Sequence, residues 1–145
     1  MNRAVFFFVL LIQSALCQAA QFSVVSLNPT LAELKSSEIK MLYRGRLTSI
    51  QGVPPKLADL PSNSPDREAF YYQILRKSPS QMNAIWARLS FSGKAAAPFE
   101  LDSSSNEAVL IWLRENENGI AYLPSEEVTK EMNILYKTNS KARYD

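Results

Sequence analysis

The stretch Leu60-Pro61-Ser62-Asn63-Ser64-Pro65-Asp66-Arg67-Glu68-Ala69-Phe70 makes a polar loop turn abruptly into a helix. Ser64 is placed as the N-cap, its hydroxyl accepting from a free backbone N–H of the first turn. Pro65 takes the first helical position, where its fixed φ fits and its missing N–H costs nothing. Free N–H groups and the positive end of the helix dipole make such a start a potential anion site. Ser62, Asn63 and Ser64 add side-chain donors there. The same residues suit the cap of an ordinary surface helix, which is the reading local sequence alone favours, with the anion site left open.

A second proline-started helix follows. Ser78-Pro79-Ser80-Gln81 is a capping box, and Met82, Ile85, Trp86 and Leu89 then repeat at i, i+3, i+4 and i+7. This stripe is a packing face. Between the two starts, Phe70, Ile74 and Leu75 point inward with Tyr71 or Tyr72 at the margin, and Arg76-Lys77 closes the first helix.

Around these helices lie short apolar runs. Gln21 to Leu27 is β-branched and aromatic, stops at Asn28-Pro29, and carries Val24-Val25 as a strand buried on both faces would. Leu34, Ile39, Leu42 and Tyr43 line a helix that Gly45 terminates, with Arg44 and Arg46 near its free carbonyls. Lys56 to Leu60 predicts a second strand, after a loop holding Gly52 and Pro54-Pro55. Ser104 and Glu107 are spaced as another capping box, opening a helix apolar over most of its circumference from Ala108 to Leu113. Ile120 to Leu123 predicts a buried strand, Ser125 to Val128 one helical turn, and Met132 to Tyr136 a last strand. The alternation predicts one α/β domain, with no internal repeat.

The first residues form an address. Arg3 is a positive n-region, Val5 to Ile12 an apolar core too short to anchor in a bilayer, and Cys17-Gln18-Ala19-Ala20 a small-residue cleavage zone. Residues 1–20 are therefore expected to be a cleavable signal peptide, residues 21–138 the domain, and 139–145 a flexible basic tail. Leu16 stands where a lipoprotein signal has a small residue, so lipidation of Cys17 is not expected. Cleavage near Ala19 or Ala20 removes Arg3, which lowers the basic count from 16 to 15 against 14 acidic residues, a net charge of +1. It also removes the chain's one cysteine, and with it thiol chemistry and disulfides. The expected protein is periplasmic, without a transmembrane anchor.

Composition excludes several functions. The 145 residues, 46% of them hydrophobic, suit one domain that needs no disulfide or metal to hold it. No basic face stands out, which argues against nucleic acid. The chain has no histidine, so the usual general base and metal ligand are missing, and no acidic spacing matches a calcium loop. Neither an enzyme, a metal site nor a cofactor is expected.

In order and spacing, four segments resemble the phosphate-binding proteins of bacterial ABC importers, within the type 2 periplasmic-binding-protein fold. Glu38 to Gly45 resembles that family's helix ending in an aromatic-x-Gly step, and Ser62 to Phe70 its Gly-Ser-Gly-Thr anion loop and helix. Trp86 to Gly93 and Asn118-Gly119-Ile120-Ala121-Tyr122-Leu123 resemble two later signatures. The resemblance implies a single three-layer lobe, a small mixed sheet flanked by helices, with a phosphate-like oxyanion held by Ser62, Asn63, Ser64 and Arg67. It also implies a membrane transporter or envelope protein as partner.

The departures are specific. The chain has the length of one lobe where the family has two. Leu57-Ala58-Asp59-Leu60 stands where the family keeps an arginine, neither loop glycine is present, and Asp66 replaces a hydroxyl donor. Two functions therefore compete: a solute-binding module for phosphate or a similar oxyanion, and an accessory or protein-interaction module that kept the lobe and lost the ligand.

Overall fold

The computed structural model describes residues 19–139. The signal-peptide reading, apart from Ala19 and Ala20, and the tail reading from residue 140 onward lie outside these residues. Five strands, β1 (Phe22–Ser26), β2 (Lys56–Asp59), β3 (Phe99–Glu100), β4 (Gly119–Pro124) and β5 (Asn133–Lys137), form one mixed sheet in the order β3-β2-β4-β1-β5. β2 runs parallel to both β3 and β4, while β1 is antiparallel to its neighbours β4 and β5. The helices are α1 (Ser36–Tyr43), α2 (Pro65–Phe70), α3 (Pro79–Phe91) and α4 (Asn106–Glu115). None of the described helices is long and apolar enough to cross a membrane.

Side chains alternate across a strand, so Ile120 and Tyr122 face one side of β4 and Gly119, Ala121 and Leu123 the other. On the Tyr122 side α1 and α2 deliver Tyr43 and Phe70. Phe70 stacks on Tyr122 at 3.7 Å between centroids, and Tyr43 meets both rings edge-on. On the other side α4 presses so closely that a Cβ on Gly119 would stand 2.8 Å from the Trp112 ring. Helices on both faces make three layers. β1 and β4 are buried on both faces along their whole length, as the Val24-Val25 run predicts.

Local signals placed most helix ends. Gly45, at φ +68°, ends α1 with its own N–H on Leu42 O and the Arg46 N–H on Met41 O, the paired bonds of a Schellman stop. Ser78 and Gln81 cap α3 reciprocally. Ser64 caps α2, its Oγ accepting from the Arg67 N–H at 3.4 Å.

Four expectations need correction. The cap of α4 is Ser105 and not Ser104: the Ser105 hydroxyl accepts from Ala108 N–H at 3.2 Å. α4 is less enclosed than its composition implies, because Ile111 is exposed. Leu34 is buried ahead of α1, held by its N–H on Leu135 O. Of the two tyrosines offered for the margin, Tyr72 takes the outer position and Tyr71 is fully buried; α2 continues through Tyr71–Leu75 as a π-helical segment that stops at Arg76 in the left-handed region. The Arg44 guanidinium donates to Leu75 O at that stop, and so caps a neighbouring helix end rather than its own.

Candidate functional site

From β2 the chain reaches β3 on one flank, through α2 and α3, and then crosses to β4 on the other. The carboxyl ends of β2 and β4 thus flank a switch in winding direction, the place where open α/β sheets leave a crevice for ligands. Asp59 closes β2 there, and the loop Leu60–Ser64 with the start of α2 lies directly beyond it.

Asp59 is buried, and its carboxylate accepts from the Tyr71 and Tyr122 hydroxyls. The Arg67 Nε lies 3.5 Å from Asp59 Oδ2 and donates to Tyr71 Oη at 3.2 Å, with the guanidinium over the Tyr71 ring. Arg67 Nη1 donates to Leu60 O at 3.0 Å and to Glu100 Oε2 at 3.2 Å. Glu100, at the carboxyl end of β3, also accepts from the Ser62 N–H through Oε1 at 2.9 Å. One carboxylate therefore bridges the loop backbone and the arginine.

The electrostatics follow from this packing. Burial pushes the Asp59 carboxyl above its usual range, although the Tyr122 and Tyr71 hydrogen bonds and the Arg67 charge all oppose the shift. Burial is the largest influence on Arg67 and works against its charge, but Asp59, Tyr71 and Tyr122 together outweigh it and leave the guanidinium pKa above its ordinary value. Glu100 is held below the ordinary carboxylate value, chiefly by the Ser62 N–H and further by Arg67, against a smaller opposing effect of burial. Burial and the neighbouring Asp59 charge raise Tyr122 and Tyr71, so both hydroxyls stay protonated donors at neutral pH.

The four residues singled out in the sequence separate by role. Ser62 and Arg67 converge on one point, occupied by the Glu100 carboxylate. Ser64 is buried and its hydroxyl serves the helix cap. Asn63 is exposed. Sequence reasoning missed Glu100, Tyr71 and Tyr122 as members of this cluster, and treated Asp59 only as the replacement for an arginine. Asp59 did carry a signal, since a carboxylate ending an apolar strand must find partners when buried.

No protein-family model matches the sequence, and no curated protein does. Solved structures do. A protein assigned as a phosphate ABC transporter substrate-binding protein from Clostridium perfringens, solved with bound phosphate, superimposes with a TM-score of 0.60 at 17% identity, over 81% of this chain and 46% of that one. An ABC-type phosphate transport receptor from Vibrio cholerae gives 0.59 at 14% identity, over 81% of this chain and 47% of that one. The chain spans about half the length of the solved proteins it matches. Its α/β fold is that of phosphate ABC transporter substrate-binding proteins over one lobe's length.

Proposed function

We propose that the chain is an exported solute-binding module of the phosphate-importer type, holding phosphate or a similar small oxyanion at the loop between β2 and α2. The observation that supports this reading most is the convergence of the Ser62 N–H and Arg67 Nη1 on one carboxylate, at 2.9 and 3.2 Å. Carboxylate and phosphate oxygens are the same kind of charge-assisted acceptor, so two donors arranged for one suit the other. Glu100 is half exposed, with 51% of its side chain in solvent, and can swing away as a ligand enters. The ligand would then meet Ser62 and Arg67, with Asn63 at the rim and Ser64 fixing the helix start.

Binding to this half-site is weak, because the ligand keeps one side in water and must displace an internal anion. A membrane transporter or envelope protein that covers the loop would strengthen it. The leader at residues 1–20 carries the export part of the reading, which gives a periplasmic location. Catalysis is not part of it: the chain has no histidine, and Ser64 is committed to its cap.

One observation favours a second reading. Two carboxylates, Asp59 and Glu100, already face the single Arg67 cation. A lobe whose arginine is satisfied from within would serve as an accessory or protein-interaction module. Phosphate titration of the chain from Gln21 onward, followed by the backbone amide resonance of Ser62, separates the two. Saturable movement of that resonance supports the oxyanion site. A resonance unmoved by phosphate at about 10 mM, a concentration that would half-fill a site of only about 3 kcal/mol, supports the interaction module.

A further inference from the structure

At the other end of the sheet, the amino ends of β2 and β3 and the turn before β4 surround a cavity of about 460 Å³. That volume lies within the roughly 300–1,000 Å³ typical of small-molecule pockets. Three ring systems wall it: Trp86 from α3, Trp112 from α4 and Phe99 from β3. Phe99 and Trp112 lie nearly parallel, 6.2 Å apart at 21°. Phe99 leaves 57% of its surface in water on a strand of two residues, where burial would be the favoured state of such a ring. The Trp86 indole Nε1 is buried without a hydrogen-bond partner.

Thr48, Lys56 and Asn116 are the polar side chains among the described lining residues. Among the described residues Lys56 is the only charged one lining the cavity, and its Nζ donates to Asn116 Oδ1 at 3.2 Å. Asn116 in turn is fixed by its Nδ2–H on Trp112 O at 2.8 Å. A neutral amide therefore positions this exposed cation, and no carboxylate pairs with Lys56 among the described residues.

We propose that this cavity binds a small planar aromatic carboxylate, its ring against Trp86, Trp112 and Phe99 and its carboxylate on Lys56. The rings select a flat apolar body. The single cation selects an anionic end over a neutral or cationic one. The site is independent of the oxyanion loop, because Lys56 and Asp59 terminate opposite ends of β2.

The probe is 2-naphthoate, titrated into the chain from Gln21 onward while the two indole N–H resonances are followed. Saturable movement of both is expected, with about tenfold weaker binding in Lys56→Glu and for the neutral 2-naphthalenemethanol. Ala96→Trp, which fills the cavity from its loop, should abolish binding while the Ser62 and Arg67 resonances stay in place. Resonances that do not move, or an affinity indifferent to both Lys56→Glu and loss of the probe's charge, would overturn the proposal. So would undiminished binding to a folded Ala96→Trp protein.

Discussion

Arg67 Nε and Asp59 Oδ2 lie 3.5 Å apart with 9% and 3% of their side chains exposed, so the two opposite charges compensate each other almost out of water. Removing one partner of such a pair strands the other, which costs about 3–5 kcal/mol. Arg67→Met is therefore expected to destabilise the chain by about 3 kcal/mol, the lower end because Tyr71 and Tyr122 still donate to Asp59. Urea unfolding measures it; a loss below about 1 kcal/mol would mean the pair behaves like a surface contact.

Asp59 also makes stability depend on pH. Its carboxyl is raised in the folded state, so folding favours its proton. That contribution is whole below the unfolded value of about 3.9 and is lost as pH rises through the folded value. Asp59→Asn removes the dependence, so its stability relative to wild type should improve as pH climbs across that window. Glu100 acts in the opposite sense. Its lowered pKa gives stability present above the unfolded value of about 4.3 and lost as pH falls through the folded one. Chemical denaturation from pH 3 to 8 should therefore give Asp59→Asn and Glu100→Gln difference curves of opposite slope. Curves of equal slope would contradict the assignment.

Two glycines provide an internally controlled comparison. Gly45 and Gly52 both have positive φ, +68° and +82°. A Cβ on Gly45 would stand 2.5 Å from Leu89 Cδ1 and 3.0 Å from two Trp86 atoms, whereas one on Gly52 meets nothing within 4 Å. Gly52→Ala should cost only the backbone strain, about 1–2 kcal/mol, and Gly45→Ala at least about 1 kcal/mol more through overpacking. Thermal melts rank them; equal losses would show that α3 yields freely.

Ser105→Ala should cost about 1 kcal/mol through loss of the α4 cap. Ser104→Ala, one residue outside the cap, should stay within about 0.5 kcal/mol of wild type. Reversed values would restore the boundary read from the Ser104–Glu107 spacing.

That one-residue shift shows where the sequence was legible and where it was not. Ser64-Pro65, Ser78-Pro79 and Gly45 each determine a helix end through bonds a few residues long, and each stood where the pattern put it. Three consecutive serines before α4 offered three caps, and only packing could choose among them. β3 had no pattern to read: Phe99 and Glu100 are both exposed, and the strand exists through pairing with Ala58 and Asp59 some forty residues earlier. The cluster at Arg67 joins residues from Asp59 to Tyr122, a span no local spacing rule covers. Ser62 and Arg67 were singled out for an external oxyanion, and the carboxylate they meet in the fold is Glu100 from the missed strand.

The most direct test of the oxyanion account is the phosphate affinity of Glu100→Ala relative to wild type, by calorimetry at pH 7 after bound anions are stripped. Glu100 lies on an exposed edge strand, so the variant should keep the native fold, and circular dichroism checks that. Freeing the Ser62 N–H and Arg67 Nη1 and removing a negative charge should tighten phosphate about tenfold, equivalent to about 1.4 kcal/mol. Phosphate binding that is absent from both folded proteins, or no tighter without Glu100, would contradict the account and leave the lobe as an interaction module.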